Sequence, residues 1–352
     1  MEKNKEIVIE SSVNWFIENR INFKKLCGKI SSIIIEVLEI EKIPFHAINS
    51  RVKEVESFRN KISNEKYDNP IEQITDFAGI RIITYVEEDV QKICKVIESI
   101  FEIDIDRSID KSKNLGTDKV GYKSIHFIAK LKEDRLCLVE YKNLKDLFFE
   151  IQVRTILQHA WAEIEHDKNY KFSGKLPDEI ARRFMLLAGS LEIADREFNN
   201  ISKEIDTLSL KVKKGTKSGE LDFEINTTSL QQFINTKFES LIKKGKIFNM
   251  RSSKDIIDEI EKYGIKNLDE LNNILTKDIV KDIDEYYLLD DKKEINLIGL
   301  IRLILIINDY HKYFKNSYNK RWKMWNSRKD NEIFKKHNVD WEIIKNKYGP
   351  TL

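Results

Sequence analysis

The amino-acid sequence predicts an α+β fold: a mixed β-sheet with flanking helices, followed by an all-α C-terminal domain. Residues 79–153 contain runs rich in β-branched and aromatic residues, which predict strands. On both sides of this stretch, apolar residues recur at helical spacing. A length of 352 residues suits two domains. We expect them at 1–205 and 226–352, joined by a linker at 206–225 that contains a stretch rich in Lys, Gly and Ser.

The order of the predicted elements places the sheet in the first domain. Helices are predicted across residues 4–66, and the chain has only four prolines to interrupt them. The polar segment 107–121, with Gly116 and Gly121, predicts a loop. Strands are predicted at 79–86, 101–109, 123–131, 135–141 and 147–153, and helices at 88–100, 154–168 and 177–201. Beyond the linker, helices are predicted near 228–245, 253–263, 267–276, 278–288, 293–317 and 331–347.

Composition and charge point to a water-exposed surface and to no membrane span. The 61 basic and 59 acidic residues give a net charge of +2, so the overall balance does not indicate a nucleic-acid partner. Three separated cysteines without a C-x-x-C pair argue against a disulfide framework or zinc site. The most apolar stretch, 295–307, is too short to span a bilayer and is interrupted by Arg302. We therefore expect a cytoplasmic protein with no membrane partner and a buried helix at 295–307.

The strand at 148–155 brings three polar groups to one face. Side chains alternate along a strand, so Glu150, Gln152 and Arg154 share a surface while the intervening apolar residues face a core. A carboxylate, an amide and a guanidinium on one surface suit a binding site. An ordinary amphipathic strand with a wet face would show the same alternation.

Two other segments place polar residues beside predicted strands. Asp76 precedes a strand that contains Gly79 and Arg81, and the glycine leaves room for a close approach of backbone or ligand. An aspartate in this place is also a common turn residue. Tyr122 follows Gly121 at a loop–strand junction, where its ring can lie open as a stacking platform for a base.

Two helical patterns complete the set of candidate segments. On the predicted helix at 154–168, His159, Glu163 and His166 fall on one face. A basic face is also predicted along a helix that leads to the sheet, formed by Arg51, Lys53, Ser57 and Lys61. Each of these faces, taken alone, is also typical of a solvated helix surface.

Together these residue types supply what phosphoryl-type transfer needs. Two carboxylates can hold Mg²⁺ against phosphates, while lysines and arginines neutralise a triphosphate. An aromatic ring can hold an acceptor base, and a carboxylate near the acceptor hydroxyl can assist its deprotonation.

The same segments, in this order, resemble the synthetase domain of the RelA/SpoT family, whose sheet is similar to the nucleotidyltransferase fold. The resemblance covers about residues 10–200. The matching motifs are R-x-K-x-x-x-S-x-x-x-K (Arg51, Lys53, Ser57, Lys61), D-x-x-G-x-R (Asp76, Gly79, Arg81), G-Y-x-S-x-H (Gly121, Tyr122, Ser124, His126), E-x-Q-x-R-T (Glu150, Gln152, Arg154, Thr155) and W-A-x-x-E-H (Trp161, Ala162, Glu165, His166), the last followed by Tyr170 and Lys171.

The resemblance implies an ATP-dependent pyrophosphokinase that acts on a nucleotide 3′-hydroxyl. It implies that Asp76 ligates Mg²⁺, and that Glu150 shares the metal or acts as the base. It further implies that Arg51 and Arg81 hold the adenine of ATP between them. The remaining implied roles are ATP binding by Lys53, Ser57 and Lys61, and acceptor binding by Tyr122, Lys123, His126, Gln152 and His159.

The acceptor and the C-terminal domain leave alternatives open. The loop at 111–119 lacks the motif that many guanosine-using members carry, so the acceptor is GDP, GTP or an adenine nucleotide, or instead the 3′ end of tRNA as in toxic family members. A degenerate nucleotide-binding module is a further alternative. Residues 311–336 are basic and aromatic, which suits RNA contact or a helix whose aromatic side chains pack in a core. A regulatory protein or peptide bound through 226–352, a fused antitoxin or sensor, and a homo-oligomer are also compatible with the sequence.

Overall fold

The computed structural model describes residues 2–64, 67–110, 124–171, 177–248, 254–289, 293–318 and 331–348. The chain divides into two compact units, Met1–Ser202 and Lys203–Leu352. None of the helices in the described ranges is long and apolar enough to cross a membrane.

The first unit contains a mixed sheet flanked by helices, as predicted. The strands are β1 (Ala47–Val52), β2 (Ala78–Thr84), β3 (Phe101–Asp110), β4 (Ile125–Leu131) and β5 (Phe149–Thr155). Within the described residues they form one sheet in the order β1-β2-β5-β4-β3. The β2–β5 pair is parallel, whereas the other pairs are antiparallel.

Helices cover this sheet and fill the connections. They are α1 (Glu2–Ile40), α2 (Val55–Asn64), α3 (Pro70–Gln73), α4 (Glu87–Ile100), α5 (Glu133–Leu136), a 3₁₀ turn (Val139–Leu144), α6 (Ile156–Lys171) and α7 (Asp178–Ser218). Beside α1, four rings form an aromatic cluster: Phe77 lies 5.0 Å from Phe16 and 5.1 Å from both Phe23 and Phe58, measured between ring centroids. All four rings are buried, and this cluster fixes the chain immediately before β2.

The strand register aligns the polar residues of neighbouring strands. Gly79 pairs with Arg51 of β1 on one side and with Glu150 of β5 on the other. One step along, Arg81 pairs with Gln152, which in turn pairs with His126 of β4. Because paired residues point to the same face of a sheet, these side chains lie in two adjacent rows on one surface.

Three predicted elements differ in the structure. Residues 51–61 do not form one helix: Arg51 lies on β1, and only Ser57 and Lys61 lie on α2. The sequence Ala-Ile-Asn-Ser-Arg-Val has little strand signal of its own, and its strand form depends on antiparallel pairing with β2. The predicted strand at 135–141 is instead formed of helical turns. This segment connects β4 to β5, which pair directly with each other and leave no place for a strand between them. The predicted linker at 206–225 is helical as far as Ser218.

The second unit is helical apart from one short parallel pair, β6 (Ile247–Phe248) with β7 (Ile295–Asn296). Its helices are α8 (Thr227–Lys237), α9 (Glu239–Lys243), α10 (Lys254–Tyr263), α11 (Leu268–Ile274), α12 (Lys277–Leu288), α13 (Leu297–Lys312), α14 (Asn331–Lys336) and α15 (Trp341–Tyr348), with a π-helical turn at Tyr313–Ser317. Helix α13 is buried along most of its length, as predicted for the apolar stretch at 295–307.

The basic and aromatic segment is only partly described. Tyr313 and Phe314 are buried in the core of the second unit, and Tyr318 packs against that core. Trp322 and Trp325 lie outside the described residues. In the described part of this segment, the aromatic rings therefore pack in a core, which was one of the two expected arrangements.

A buried ion pair holds α10 to α13. Arg302 donates to both carboxylate oxygens of Glu259, at 2.9 and 2.6 Å, and the Tyr313 hydroxyl donates to the same carboxylate at 2.9 Å. The Glu259 side chain is only 3% exposed. Its charge is tolerated there because Arg302 and Tyr313 supply donors to the carboxylate.

We expect Glu259→Ala to lower the free energy of unfolding by about 3–5 kcal/mol, because it leaves the Arg302 guanidinium without its buried counter-charge. Thermal denaturation of the full chain, followed by circular dichroism, measures the loss. The double variant Glu259→Met with Arg302→Met should recover part of it. A single variant as stable as wild type would show that the pair contributes nothing.

Candidate active site

Asp76 lies immediately before β2, where the neighbouring residue Phe77 is fixed in the aromatic cluster. The carboxylate accepts from Lys53 Nζ at 2.5 Å and from Lys61 Nζ at 3.4 Å. Lys53 is itself fixed through its backbone, because its N–H donates to the Phe77 carbonyl at 2.9 Å. One buried ring thus positions both partners of the shorter ion pair.

The electrostatics keep Asp76 ionised. Burial raises the pKa of this carboxyl, but the hydrogen bond and charge of Lys53, with the charge of Lys61, outweigh it and hold the pKa below its usual value. The carboxylate is therefore available as an anionic ligand at neutral pH.

Glu150 is held at both of its carboxylate oxygens. One oxygen lies 2.8 Å from His126 Nδ1, and the other accepts from Gln152 Nε2 at 2.9 Å. The second ring nitrogen of His126 lies 2.6 Å from Ser124 Oγ. The sheet register explains this chain of contacts, since β4 and β5 place His126 and Gln152 side by side.

Burial raises the pKa of Glu150, but the hydrogen bond and charge of His126 and the hydrogen bond from Gln152 hold it below its usual value. The negative charge of Asp76 acts in the opposite direction. The two carboxylates are thus close enough to influence each other, although 74 positions separate them in the chain.

A cleft brings these groups together at the end of the sheet formed by β1, β2 and β5. Its volume is about 280 Å³, and its lining includes Arg51, Lys53, Ser57, Asp76, Gly79, Arg81, Glu150 and Gln152. At Gly79, an added Cβ would meet Arg51 at 3.9 Å, an ordinary van der Waals distance. The missing side chain therefore leaves space in the cleft and is not required for protein packing.

Helix α6 adds a residue that the sequence did not assign to the site. Glu163 Oε1 accepts from Arg81 at 2.7 Å and from Arg154 at 3.4 Å. The helix start is set by a reciprocal pair of hydrogen bonds between Thr155 and Gln158, a capping box that directly follows β5. Residue pattern alone placed Glu163 on a helix face with His159, and only the fold reveals its arginine partners.

His159 lies one turn before Glu163, with its Nδ1 3.8 Å from the same carboxylate oxygen. Burial and the charges of Arg154 and Arg81 hold the pKa of His159 below its usual value. Its imidazole is therefore neutral at physiological pH.

The predicted site residues divide into three groups. The residues predicted to bind ATP and the two predicted carboxylates lie close together. The cleft lining includes Arg51, Lys53, Ser57, Asp76, Arg81 and Glu150. Lys61, on α2, donates a hydrogen bond to Asp76. His126 supports Glu150, and His159 lies beside Glu163, whereas Gln152 lines the cleft itself. Tyr122 and Lys123 lie outside the described residues.

The donor set fits Mg²⁺ carried by a phosphate substrate. Among the described residues, no group of three or more His, Cys, Asp or Glu side chains forms a closed metal site. Mg²⁺ characteristically takes one or two protein carboxylates and completes its shell with water and phosphate oxygens. Asp76 and Glu150 in one cleft, beside lysines and arginines, meet that requirement.

Comparison with known proteins identifies the region that contains this cleft. Residues 50–175 match the model of the region found in RelA/SpoT proteins. The GTP pyrophosphokinase YjbM of Bacillus subtilis is 26% identical over 184 residues, which cover 52% of this chain and 83% of the relative. The GTP pyrophosphokinase YwaC of the same organism is 29% identical over 168 residues, covering 46% and 76%.

Among solved structures, small alarmone synthetase 1 from Bacillus subtilis aligns with a TM-score of 0.47 at 23% identity, covering 55% of this chain and 98% of that one. The five motifs, the mixed sheet and the family match all fall on the first unit. Residues 50–175 of this chain are therefore similar to the region found in RelA/SpoT proteins.

Proposed function

We propose that the chain transfers the β,γ-pyrophosphate of ATP to the 3′-hydroxyl of GDP or GTP, making (p)ppGpp-type products and releasing AMP. The observation that supports this most directly is the convergence of Asp76, Glu150 and Lys53 in one cleft. The two curated relatives, both GTP pyrophosphokinases, support the guanine nucleotide as acceptor.

The cationic side chains account for ATP binding. Lys53 and Lys61, which pair with Asp76 in the structure, turn to the phosphate oxygens when the triphosphate enters. Arg51 on β1 and Arg81 on β2 both line the cleft, and they hold the adenine ring through their planar guanidinium groups.

The carboxylates account for the metal and for the acceptor. Asp76 and Glu150 would hold Mg²⁺, which when bound would neutralise phosphate charge and polarise the β-phosphorus. Glu150 also orients the acceptor 3′-hydroxyl and takes its proton, because His126 and Gln152 fix the position of its carboxylate. The bond from O3′ to the β-phosphorus forms while the bond from the β-phosphorus to the bridging oxygen of AMP breaks. Most of the rate enhancement then comes from positioning and charge neutralisation.

One incubation tests the proposed function. Purified full-length chain, Mg²⁺ and γ-labelled ATP are mixed separately with GDP, GTP, ATP or deacylated tRNA. We expect label in the guanine nucleotide and stoichiometric AMP. Label on tRNA would instead establish the acceptor of the toxic family members, and intact ATP in every mixture would favour a nucleotide-binding module.

We expect Asp76→Asn and Glu150→Gln each to reduce transfer by about 100- to 1,000-fold, since each removes a charge aimed at the reacting phosphates or hydroxyl. Initial rates of AMP release measure the loss. Glu10→Gln is the matched control: it removes a carboxylate charge from α1, at an exposed ion pair with Arg59. Full activity in either cleft variant would contradict the role given to that residue.

We expect metal binding to depend on the nucleotide. In the free protein, two ammonium groups neutralise Asp76, so a divalent cation alone binds weakly. Electron paramagnetic resonance of Mn²⁺ should therefore show tighter binding when AMPCPP, an ATP analogue, is present. Lys53→Met should tighten Mn²⁺ binding to the nucleotide-free protein by about 5- to 10-fold, because it removes one competing charge. Unchanged Mn²⁺ affinity in this variant would show that Lys53 does not compete for Asp76.

A further inference from the structure

Glu163 connects a buried arginine to an arginine of the cleft. Its carboxylate oxygen Oε1 accepts from Arg81 at 2.7 Å and from Arg154 at 3.4 Å. The Arg154 side chain is 3% exposed, that of Arg81 is 24% exposed and that of Glu163 is 55% exposed. Hydrogen bonds therefore connect the buried Arg154 to the largely exposed Glu163, and Glu163 to Arg81 in the cleft lining.

The two arginines of the cleft are held differently. The Arg51 guanidinium makes no hydrogen bond or ion pair with any other residue in the described ranges. Arg81, by contrast, is fixed by Glu163. A free arginine loses side-chain entropy when it binds a ligand. A side chain that is already held loses less of this entropy on binding, so its contacts contribute more to affinity.

The contact with Glu163 is compatible with stacking of a base on Arg81. A guanidinium is planar, its N–H donors lie in the plane at its edge, and its two faces carry no donors. Glu163 accepts a hydrogen bond from one edge nitrogen, Nη1. A purine ring uses a face of the group, so the carboxylate and the ring do not compete for the same part of Arg81.

We infer that Glu163 is a positioning residue that preorganises Arg81 as the fixed platform for the adenine ring of ATP, against which the freer Arg51 closes. The inference rests on the proposed function, because it assumes that this cleft binds ATP. It assigns a role in nucleotide affinity to a residue on α6, outside the cleft lining.

Isothermal titration with AMPCPP, in which a methylene group replaces the oxygen between the α- and β-phosphates, tests this without any transfer step. We expect Glu163→Ala to weaken AMPCPP binding by about 10-fold. Glu163→Gln, which keeps an oxygen acceptor but no charge, should weaken it by about 3-fold. In transfer assays the same variants should raise KM for ATP and leave kcat within about 2-fold.

A matched control separates this effect from loss of any exposed ion pair. Glu239 is 56% exposed and holds Lys243 at 2.8 Å in the second unit. Glu239→Ala should leave AMPCPP affinity unchanged. If Glu163→Ala and Glu239→Ala weakened AMPCPP binding equally, the loss would not depend on the location of Glu163 beside Arg81. That result would overturn the inference.

Double variants test whether Glu163 acts through Arg81. The change Glu163→Ala should have almost no further effect on AMPCPP binding in an Arg81→Ala background, but its full effect in an Arg51→Ala background. Additive losses with Arg81→Ala would contradict the inference, as would tighter binding by Glu163→Ala, since that would make the carboxylate a competitor of ATP.

The design distinguishes two kinds of failure. If the wild-type chain binds AMPCPP and Glu163→Ala binds it equally well, the inference is wrong and the proposed function stands. If the wild-type chain does not bind AMPCPP at all, the proposed function fails first, and the inference fails with it.

Discussion

The site depends on the packing of one ring, Phe77, among Phe16, Phe23 and Phe58. Phe77 determines where its neighbour Asp76 emerges at the start of β2, and its carbonyl fixes the backbone of Lys53. The resulting Lys53–Asp76 pair joins a basic residue that follows β1 to an acidic residue that precedes β2. A core contact thereby sets the geometry of the charged groups, which is why α1 contributes to the cleft without supplying a residue to its lining.

The sheet register then adds the second carboxylate. Parallel pairing of β2 with β5 sets Glu150 beside Gly79, and antiparallel pairing with β4 supplies His126. Both oxygens of Glu150 and both nitrogens of His126 have partners, so these side chains have little freedom to turn. The arrangement of side chains in the cleft is thus a property of backbone pairing as much as of the individual residues.

The sequence predicted the strands whose own residues favour a strand. It missed the strand whose formation depends on pairing with a neighbouring strand. The β-branched run at 79–86 and the alternation at 148–155 identified β2 and β5 with their polar faces. The strand that contains Arg51 has little such signal, because pairing with β2 creates it. Glu163 was recognisable as a helix residue near His159, but its arginine partners are 82 and 9 positions away, and only tertiary structure brings the more distant one to it. Motif resemblance supplied the implied roles that spacing alone could not.

The strand order has a consequence for how the enzyme is made. β5 occupies the centre of the five-stranded sheet, yet it is the last of that sheet's strands along the chain. Until Phe149–Thr155 leaves the ribosome, β2 and β4 each present an unpaired edge, the kind of surface that invites pairing with another chain. No fragment that ends before this strand can assemble the cleft. The cleft is therefore completed only once this segment has been synthesised and lies between β2 and β4.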